Sequence, residues 1–499
     1  LQLLSKSKII SGIQCHKKLW LETHDKQDIL ESPLFALGNR FGEFARMHYG
    51  EGENLDGKKL SDNAIEQTKA AIANPNINAI YEAAFIFDNT LVRVDVLLRT
   101  GDAWEIIEVK SSKEAKPHHL NDITAQTYVV QGCGLKLSSI KIAHINRDFL
   151  YKGNEDYSGL LVEVDVKNEV VERLPRVKAW VNSLLPIVQV DAHKPIEGMD
   201  ETKCNSPYPC QFLSRCQSDL PKLAEVPISI LPNTGKKLAD KWSKDQIYDL
   251  RYLPDGALTN ERHKIIQQVH QSNIPYISSE VVKKVRSLPG PYFFMDFETV
   301  MQGVPLIPNT KPNDAVPFQW SVHSIEDLND NVGINDGKSF LEFLSPTLFR
   351  DFLTSLMSAL GDSGTIFVHH KSTEIKALRY LASHKQCLDL YNAVEEIILR
   401  IEDTLDLVRV GMYFPEMGLS EESTYSIKTI TKVIPTTVNY QEDGELSSGN
   451  DAQLIWFKCT DLKHRLSERE IQSLKNNLLK YCAKDTLALV DLVRYINRQ

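Results

Sequence analysis

LVRVDVLLRTGDAWEIIEVK, residues 91–110, decides the fold of the first half of the chain. Residues 91–98 and 103–110 are rich in β-branched and large apolar side chains interleaved with polar ones, which predicts two strands. Between them Gly101-Asp102 suits a two-residue primed hairpin turn. In that register Thr100 pairs with Ala103 and Asp95 lies opposite Glu108, while Lys110, two residues beyond Glu108, shares its face. Directly opposed residues have Cβ atoms about 5 Å apart, and like charges there repel. A divalent cation between them reverses that sign. Mg²⁺ prefers oxygen ligands and retains waters, one of which can become a nucleophile. Lys110 is then placed to orient the water or to stabilise developing phosphate charge. The same face also reads as a solvated polar surface with a Lys–Glu pair.

The spacing Asp95…Glu108-Val109-Lys110 resembles the PD-(D/E)XK nuclease core in its RecB-like branch. That resemblance implies a glutamine-bearing helix after the second strand, and Gln126 lies in the stretch 122–132. The family pattern Gln-x-x-x-Tyr is met in part, because Val130 holds the fourth position and Tyr128 stands nearby. It also implies a histidine or acidic group on an early helix, for which Glu43 and His48 in FGEFARMHYG are both candidates; His48 reads equally as a surface histidine.

Cys204-x5-Cys210-x5-Cys216 closes this half in CNSPYPCQFLSRC, and Cys15 opens it in SGIQCHKKLWL. Zinc normally takes short Cys-x2-4-Cys pairs, which are absent here, although soft thiolates suit either metal. The arrangement resembles the iron–sulfur RecB-like nucleases, including AddB-type helicase-nucleases, which take one cysteine from before the core and three from after it. The resemblance implies that Cys15, Cys204, Cys210 and Cys216 hold a [4Fe–4S] cluster cross-linking the two ends of the domain. Cys133, Cys387, Cys459 and Cys482 show no ligand spacing and are expected in the core.

Leu288-Pro289-Gly290-Pro291 is strong punctuation, followed by the strand-like Tyr292-Phe293-Phe294-Met295 and then Asp296-Phe297-Glu298. On a strand, Asp296 and Glu298 aim at one face. Far downstream, Tyr481 and Asp485 share a face of an apolar periodic helix at i and i+4. The two pairs resemble the tyrosine subtype of the DEDD exonucleases, of RNase H-like (DnaQ-like) fold. That family holds two metals about 4 Å apart and positions water with the tyrosine. Its Asn-x-x-(Phe)-Asp element falls on His370-Lys371-Ser372-Thr373-Glu374, so Glu374 takes the aspartate's place and His370 the asparagine's. Asp403 and Asp406 in IEDTLDLVRV are lesser candidates.

The expected organisation is α/β throughout: a PD-(D/E)XK restriction-endonuclease-like domain with an iron–sulfur cluster over residues 1–224, a helical linker over 225–290, and an RNase H-like exonuclease domain over 291–499. Within the linker, Leu231-Pro232-Asn233-Thr234-Gly235 resembles a helix-hairpin-helix start, and a plain helical linker is the reading adopted. A chain of 499 residues exceeds what one hydrophobic core sustains. Composition is 42% hydrophobic and 25% charged, ordinary for a globular protein. No apolar run approaches the roughly 18 residues of a membrane span, and no signal-peptide core opens the chain, so a cytoplasmic location is expected. The net charge of −9 argues against non-specific coating of nucleic acid and leaves phosphate contacts to local patches. Lys6, Lys8, Lys17 and Lys18 form one such patch and Lys283, Lys284 and Arg286 another; both also read as solvated lysines. The expected activity is a Mg²⁺- or Mn²⁺-dependent DNA exonuclease acting on single strands or free ends. RNA processing, or a nucleic-acid-binding scaffold with an inactive C-terminal site, are the alternatives.

Overall fold

The computed structural model describes residues 3–25, 33–57, 63–189, 196, 201–218, 222–420, 422–440, 446, 448–461 and 466–499. The chain divides into two compact α/β units, one of residues 1–221 with 302–313, the other of residues 222–301 with 314–499.

In the first unit the strands are β1 (Leu4–Ser5), β2 (Glu53–Asn54), β3 (Ala79–Phe87), β4 (Thr90–Thr100), β5 (Ala103–Lys110), β6 (Leu137–Ile145) and β7 (Leu161–Asp165). The helices are α1 (Lys6–Gln14), α2 (His16–His24), α3 (Pro33–Tyr49), α4 (Ala64–Ala73), α5 (Pro117–Gly132), α6 (Lys167–Gln189) and α7 (Leu213–Ser218). The sheet order is β2-β3-β4-β5-β6-β7, with β1 added in parallel to β4. The β4–β5 hairpin has the predicted register, Thr100 opposite Ala103 and Val96 opposite Ile107, closed by Gly101 at φ +61°. Helix α5 then crosses over to bring β6 parallel to β5, burying Ile123, Val129 and Val130 against Trp104 and Ile106. A second apolar cluster joins α1, α2, α6 and α7 through Ile9, Leu19, Trp20, Val181, Leu184, Phe212 and Cys216.

Alternation breaks at one level of this sheet. Ile80, Ala83, Phe85, Val92, Val94 and Leu97 all face one core, so the inward phase slips between residues 80 and 83 on β3 and between 94 and 97 on β4. The β3–β4 ladder runs Tyr81–Val96 and then Ala83–Val94, skipping Glu82 and Asp95. The β4–β5 ladder stops at Val96–Ile107. Glu82 has φ +58°, a left-handed conformation that few residues other than glycine adopt inside a strand. Asp95 and Glu82 therefore lie at a local dislocation of the sheet, and the expected direct pairing of Asp95 with Glu108 is replaced by a different contact, described below.

The second unit contains α8 (Gly235–Ser243), α9 (Glu261–Ser272), β8 (Tyr276–Ile277), α10 (Ser279–Ser287), β9 (Tyr292–Met301), β10 (Ala315–Ile325), β11 (Lys338–Leu341), α11 (Leu348–Leu360) and β12 (Thr365–Val368). It continues with α12 (Lys371–Ala382), α13 (Tyr391–Leu399), β13 (Ile401–Asp403), α14 (Thr404–Gly411), β14 (Met412–Tyr413), α15 (Ile427–Thr431), α16 (Gly449–Cys459) and α17 (Glu468–Asn497). Its main sheet has the order β11-β10-β9-β12-β13; β9, β10 and β11 are antiparallel neighbours, while β12 and β13 run parallel to β9. The segment 225–290, expected as a linker, is helical but not separate. Val226, Ile228, Leu250, Val269, Val281 and Val285 share one buried cluster with Phe294, Phe367, Val408 and the Leu487–Val493 stretch of α17. That shared cluster puts 225–290 in the second unit, whose boundary falls at residue 221.

Of the four cysteines expected in the core, Cys387 and Cys482 are fully buried. Cys133 is exposed at the end of α5, its thiol directed to the Ile86 carbonyl, and Cys459 is half-buried. Among the described residues, no helix is long and apolar enough to cross a membrane.

Candidate active sites

In the first unit, the end of β5 delivers Glu108 and Lys110 to one face, as the two-residue period requires. Glu108 is fully buried, and Gln126, one turn along α5 from Asp122, donates its amide to Glu108 Oε2. Lys110 Nζ is 2.5 Å from Glu108 Oε1 and also pairs with Asp122. Asp95, displaced by the dislocation, accepts a hydrogen bond of 2.8 Å from the Val109 backbone N–H. Lys6, the first residue of α1, completes the group. Its Nζ lies 3.1 and 3.2 Å from the two Glu108 oxygens, 3.6 Å from Asp95 and 3.8 Å from Asp122.

Electrostatics follow from this crowding. Burial, then the charge of Glu108, pushes Asp95 up to about 7. Burial and Glu108 likewise raise Asp122. Glu82 is raised by burial, and its charge is among those acting on Asp95. Burial also opposes ionisation of Glu108, but the ammonium groups of Lys110 and Lys6 outweigh it and hold that carboxyl well below its usual range. Four carboxylates thus face two ammonium groups, an excess of negative charge that one divalent cation would balance. Asp122 Oδ1 and Gln126 Oε1 are enclosed without a hydrogen-bond partner, so the donor set has acceptor capacity left for an ion or its waters.

Sequence reasoning named Asp95, Glu108, Lys110 and Gln126, and the structure gathers all four. It missed Asp122 and Glu82, and it read Lys6 as part of a phosphate patch. Its other members diverge: Lys18 donates to Gln14 Oε1. The early-helix candidate His48 is elsewhere. His48 packs on Phe44 and Tyr49, and Tyr49 joins the Ile107 face of the sheet, opposite the face of Glu108. Tyr128 donates to Asp88 and Val130 is core, so neither supplies the family's tyrosine.

The cysteine loop lies close by. Gln14, adjacent to Cys15, donates to the carbonyls of Lys203 and Tyr208 at 2.9 and 2.7 Å, and the Cys210 N–H reaches the Cys204 carbonyl at 2.7 Å. Cys210 and Cys216 join the cluster that contains Leu19 and Trp20 of α2. Residues before and after the sheet are therefore brought into one region. Among the described residues, the four cysteines do not bring their sulfur atoms within 4.8 Å of one another.

In the second unit, Asp296 and Glu298 project from β9, and a bulge at Phe318 on β10 interrupts the ladder beside Glu298. Helix α17 is pegged across the sheet by buried polar contacts. Gln319 donates to the Leu478 carbonyl, and Thr486 meets Ser321 and His323 at 3.1 and 2.8 Å. These pegs flank Tyr481 and Asp485 and turn them toward β9. Among the described residues, Asp296, Glu298 and Asp485 are the one group whose ligand atoms all fall within 4.8 Å of one another. Glu374, on the first turns of α12, is buried with Oε2 unpartnered, and its carboxyl is raised by burial and then by Asp296 and Glu298. Burial and mutual repulsion also raise Asp296 and Glu298. Asp485 rises only to about 6, because Tyr440, Lys428 and Tyr481 counter its burial. Oxygens this close, desolvated and short of cationic partners, suit divalent ions.

Tyr440 and Lys428 had no sequence signal. Tyr440 donates to Asp485 at 2.7 Å, and Lys428 Nζ donates to the Tyr481 hydroxyl at 3.2 Å while lying over both rings. Cys482, expected as core, also contacts Asp296 through its thiol. His370 N-caps α12 at φ +101°. Asp403 accepts from the backbone N–H groups of His370, Lys371 and Leu405, so it serves as an anchor, and Asp406 is exposed. In the second basic patch Lys284 pairs with Glu402 and Arg286 binds the Asn497 carbonyl.

A family model described as a domain of unknown function (DUF2779) matches residues 293–421. That stretch holds Asp296, Glu298 and Glu374 but ends before Tyr481 and Asp485. No curated protein matches the chain.

Proposed function

We propose that this chain is a metal-dependent nuclease with two active sites, the first of RecB-like PD-(D/E)XK type and the second of DEDD type on an RNase H-like sheet. The observation that carries the reading is the convergence of Asp296, Glu298 and Asp485 within 4.8 Å, with Glu374 beside them, from strand and helix positions nearly 200 residues apart as roughly counted along the chain. The strand order β11-β10-β9-β12-β13, three antiparallel and two parallel, supports the fold assignment. For the first site the support is the Asp95–Glu108–Lys110–Gln126 group beside a parallel crossover.

A divalent ion at either site supplies Lewis-acid activation of water and neutralises phosphate charge. In the first site Asp95 and Glu108 hold it, Gln126 fixes the Glu108 carboxylate, and Lys110 offers its ammonium to charge developing on phosphate. In the second, Asp296, Glu298, Glu374 and Asp485 are the ligands. Tyr481 orients the attacking water through its hydroxyl, which Lys428 steadies. Cys15, Cys204, Cys210 and Cys216 would carry a [4Fe–4S] cluster that ties the ends of the first unit together. The substrate is DNA with single-stranded or free ends.

The test uses anaerobically purified protein, Mn²⁺, and DNA and RNA strands labelled at either end, comparing the parent with Asp95→Ala and Asp296→Ala. Each variant should lose a different set of end products. Loss of every product in Asp95→Ala alone would reduce the second site to a binding module, and full activity in the double variant would end the nuclease reading. Iron analysis of the same preparation should give about four irons per chain; zinc without iron would remove the cluster.

A further inference from the structure

The first site holds a cation of its own. Lys6 Nζ stands within 3.8 Å of Glu108, Asp95 and Asp122 together, the three carboxylates that a metal in this site would face. Its backbone is fixed: Leu4 is fully buried and pairs with Thr90, Ser5 pairs with Leu91, and Ser5 caps α1. Its side chain is 23% exposed, which leaves the four-carbon stem a way out toward solvent. Lys110 is differently placed, on the strand next to Glu108, and its ammonium is committed to Glu108 and Asp122.

We infer that Lys6 is a resident counter-ion of the metal-free first site, and that a divalent metal must displace its ammonium in order to bind. The inference rests on the metal-site reading above. An ammonium and a divalent ion cannot both occupy the concave side of the same three carboxylates, because they repel each other at the distance each needs from the oxygens. Metal affinity at this site is therefore the difference between two cations' attractions, not the attraction of one. The released ammonium, still tethered to α1, stays at the mouth of the site, where the phosphate of a substrate would arrive. Lys6 is thus a positioning residue whose work begins once the metal has moved it.

The experiment is calorimetric titration of Mn²⁺ into the full chain carrying Asp296→Ala and Asp485→Ala, which confines binding to the first site. Lys6→Met should bind Mn²⁺ at least about tenfold more tightly than this parent, and Lys6→Arg, which keeps the charge, should stay near it. Lys6→Gln serves as a second neutral variant if Lys6→Met folds poorly. Melting temperatures give an independent readout: the neutral variants should melt lower than the parent in chelator and gain more from Mn²⁺. If the parent binds Mn²⁺, Glu108→Ala abolishes that binding, and both neutral variants bind no more tightly, the Lys6 inference is overturned while the metal site stands. If Mn²⁺ binds neither the parent nor any variant, the metal site and the inference fall together.

Discussion

The two carboxylate groups solve the same electrostatic problem in opposite ways. In the first unit, Glu108 is buried among two ammonium groups and is held ionised. In the second, Asp296, Glu298 and Glu374 are buried among one another, with Lys428 at one edge, and each is pushed toward its neutral form. One site carries part of its countercharge in the sequence, on Lys6 and Lys110; in the other the carboxyls mainly face one another. Charge compensation, not the number of carboxylates, separates the ionised Glu108 from the raised carboxyls of the second site.

The sharpest way to break this comparison is to neutralise one acid on each side. Glu108→Gln removes the buried carboxylate that both Lys6 and Lys110 pair with, leaving them Asp122 in common, and should destabilise the metal-free first unit by about 3 kcal/mol. Glu298→Gln removes a repelling charge and should stabilise the metal-free second unit, by on the order of 1 kcal/mol. Denaturation in chelator, followed by peptide-resolved hydrogen exchange, assigns each change to its unit. Equal signs would mean that the two sites do not differ in compensation.

Proton linkage sharpens the same point. The second site's carboxyls, Asp296, Glu298, Glu374 and Asp485, have folded pKa values above their unfolded ones, so they bind more protons in the folded state. Their stabilisation is fully present below the unfolded value of about 4 and is lost as pH rises through the folded value, about 6 for Asp485. The metal-free second unit should therefore become more stable between pH 7 and 5. Saturating Mn²⁺, which favours the ionised forms, should abolish or reverse that slope, and a flat profile in chelator would contradict the buried, uncompensated group.

The smallest expected effect concerns the tyrosine. Tyr481→Phe should slow digestion from the 3′ end by about tenfold, near 1.4 kcal/mol in the barrier, without changing Mn²⁺ affinity at the second site. Weakened Mn²⁺ binding would make the hydroxyl a ligand instead.

Local geometry made part of this legible in sequence. Gly101-Asp102 fixes the hairpin register, and a two-residue period puts Glu108 with Lys110 and Asp296 with Glu298. An i, i+4 spacing did the same for Tyr481 and Asp485. What stayed hidden depends on long-range placement. Glu82 and Asp95 meet through a slip in strand phase that alternation cannot forecast. Lys6 arrives because an edge pairing of two residues docks the start of α1 beside β4. Lys428 comes from α15, a helix of five residues, and Tyr440 from the irregular stretch after it, both too short of any period to read. The 225–290 helices looked like a linker because their apolar residues are spaced for burial, and only tertiary packing shows into what.

Asp403 has a consequence beyond anchoring. Three backbone N–H groups consume its lone pairs, yet its charge is felt at Glu374, where it adds to the upward shift. It is a source of negative potential whose own oxygens are held by backbone N–H groups. The attraction such a source exerts grows in direct proportion to the valence of the incoming cation. If the second site holds a divalent ion as proposed, Asp403 would thereby favour that ion over a monovalent one without serving as a ligand.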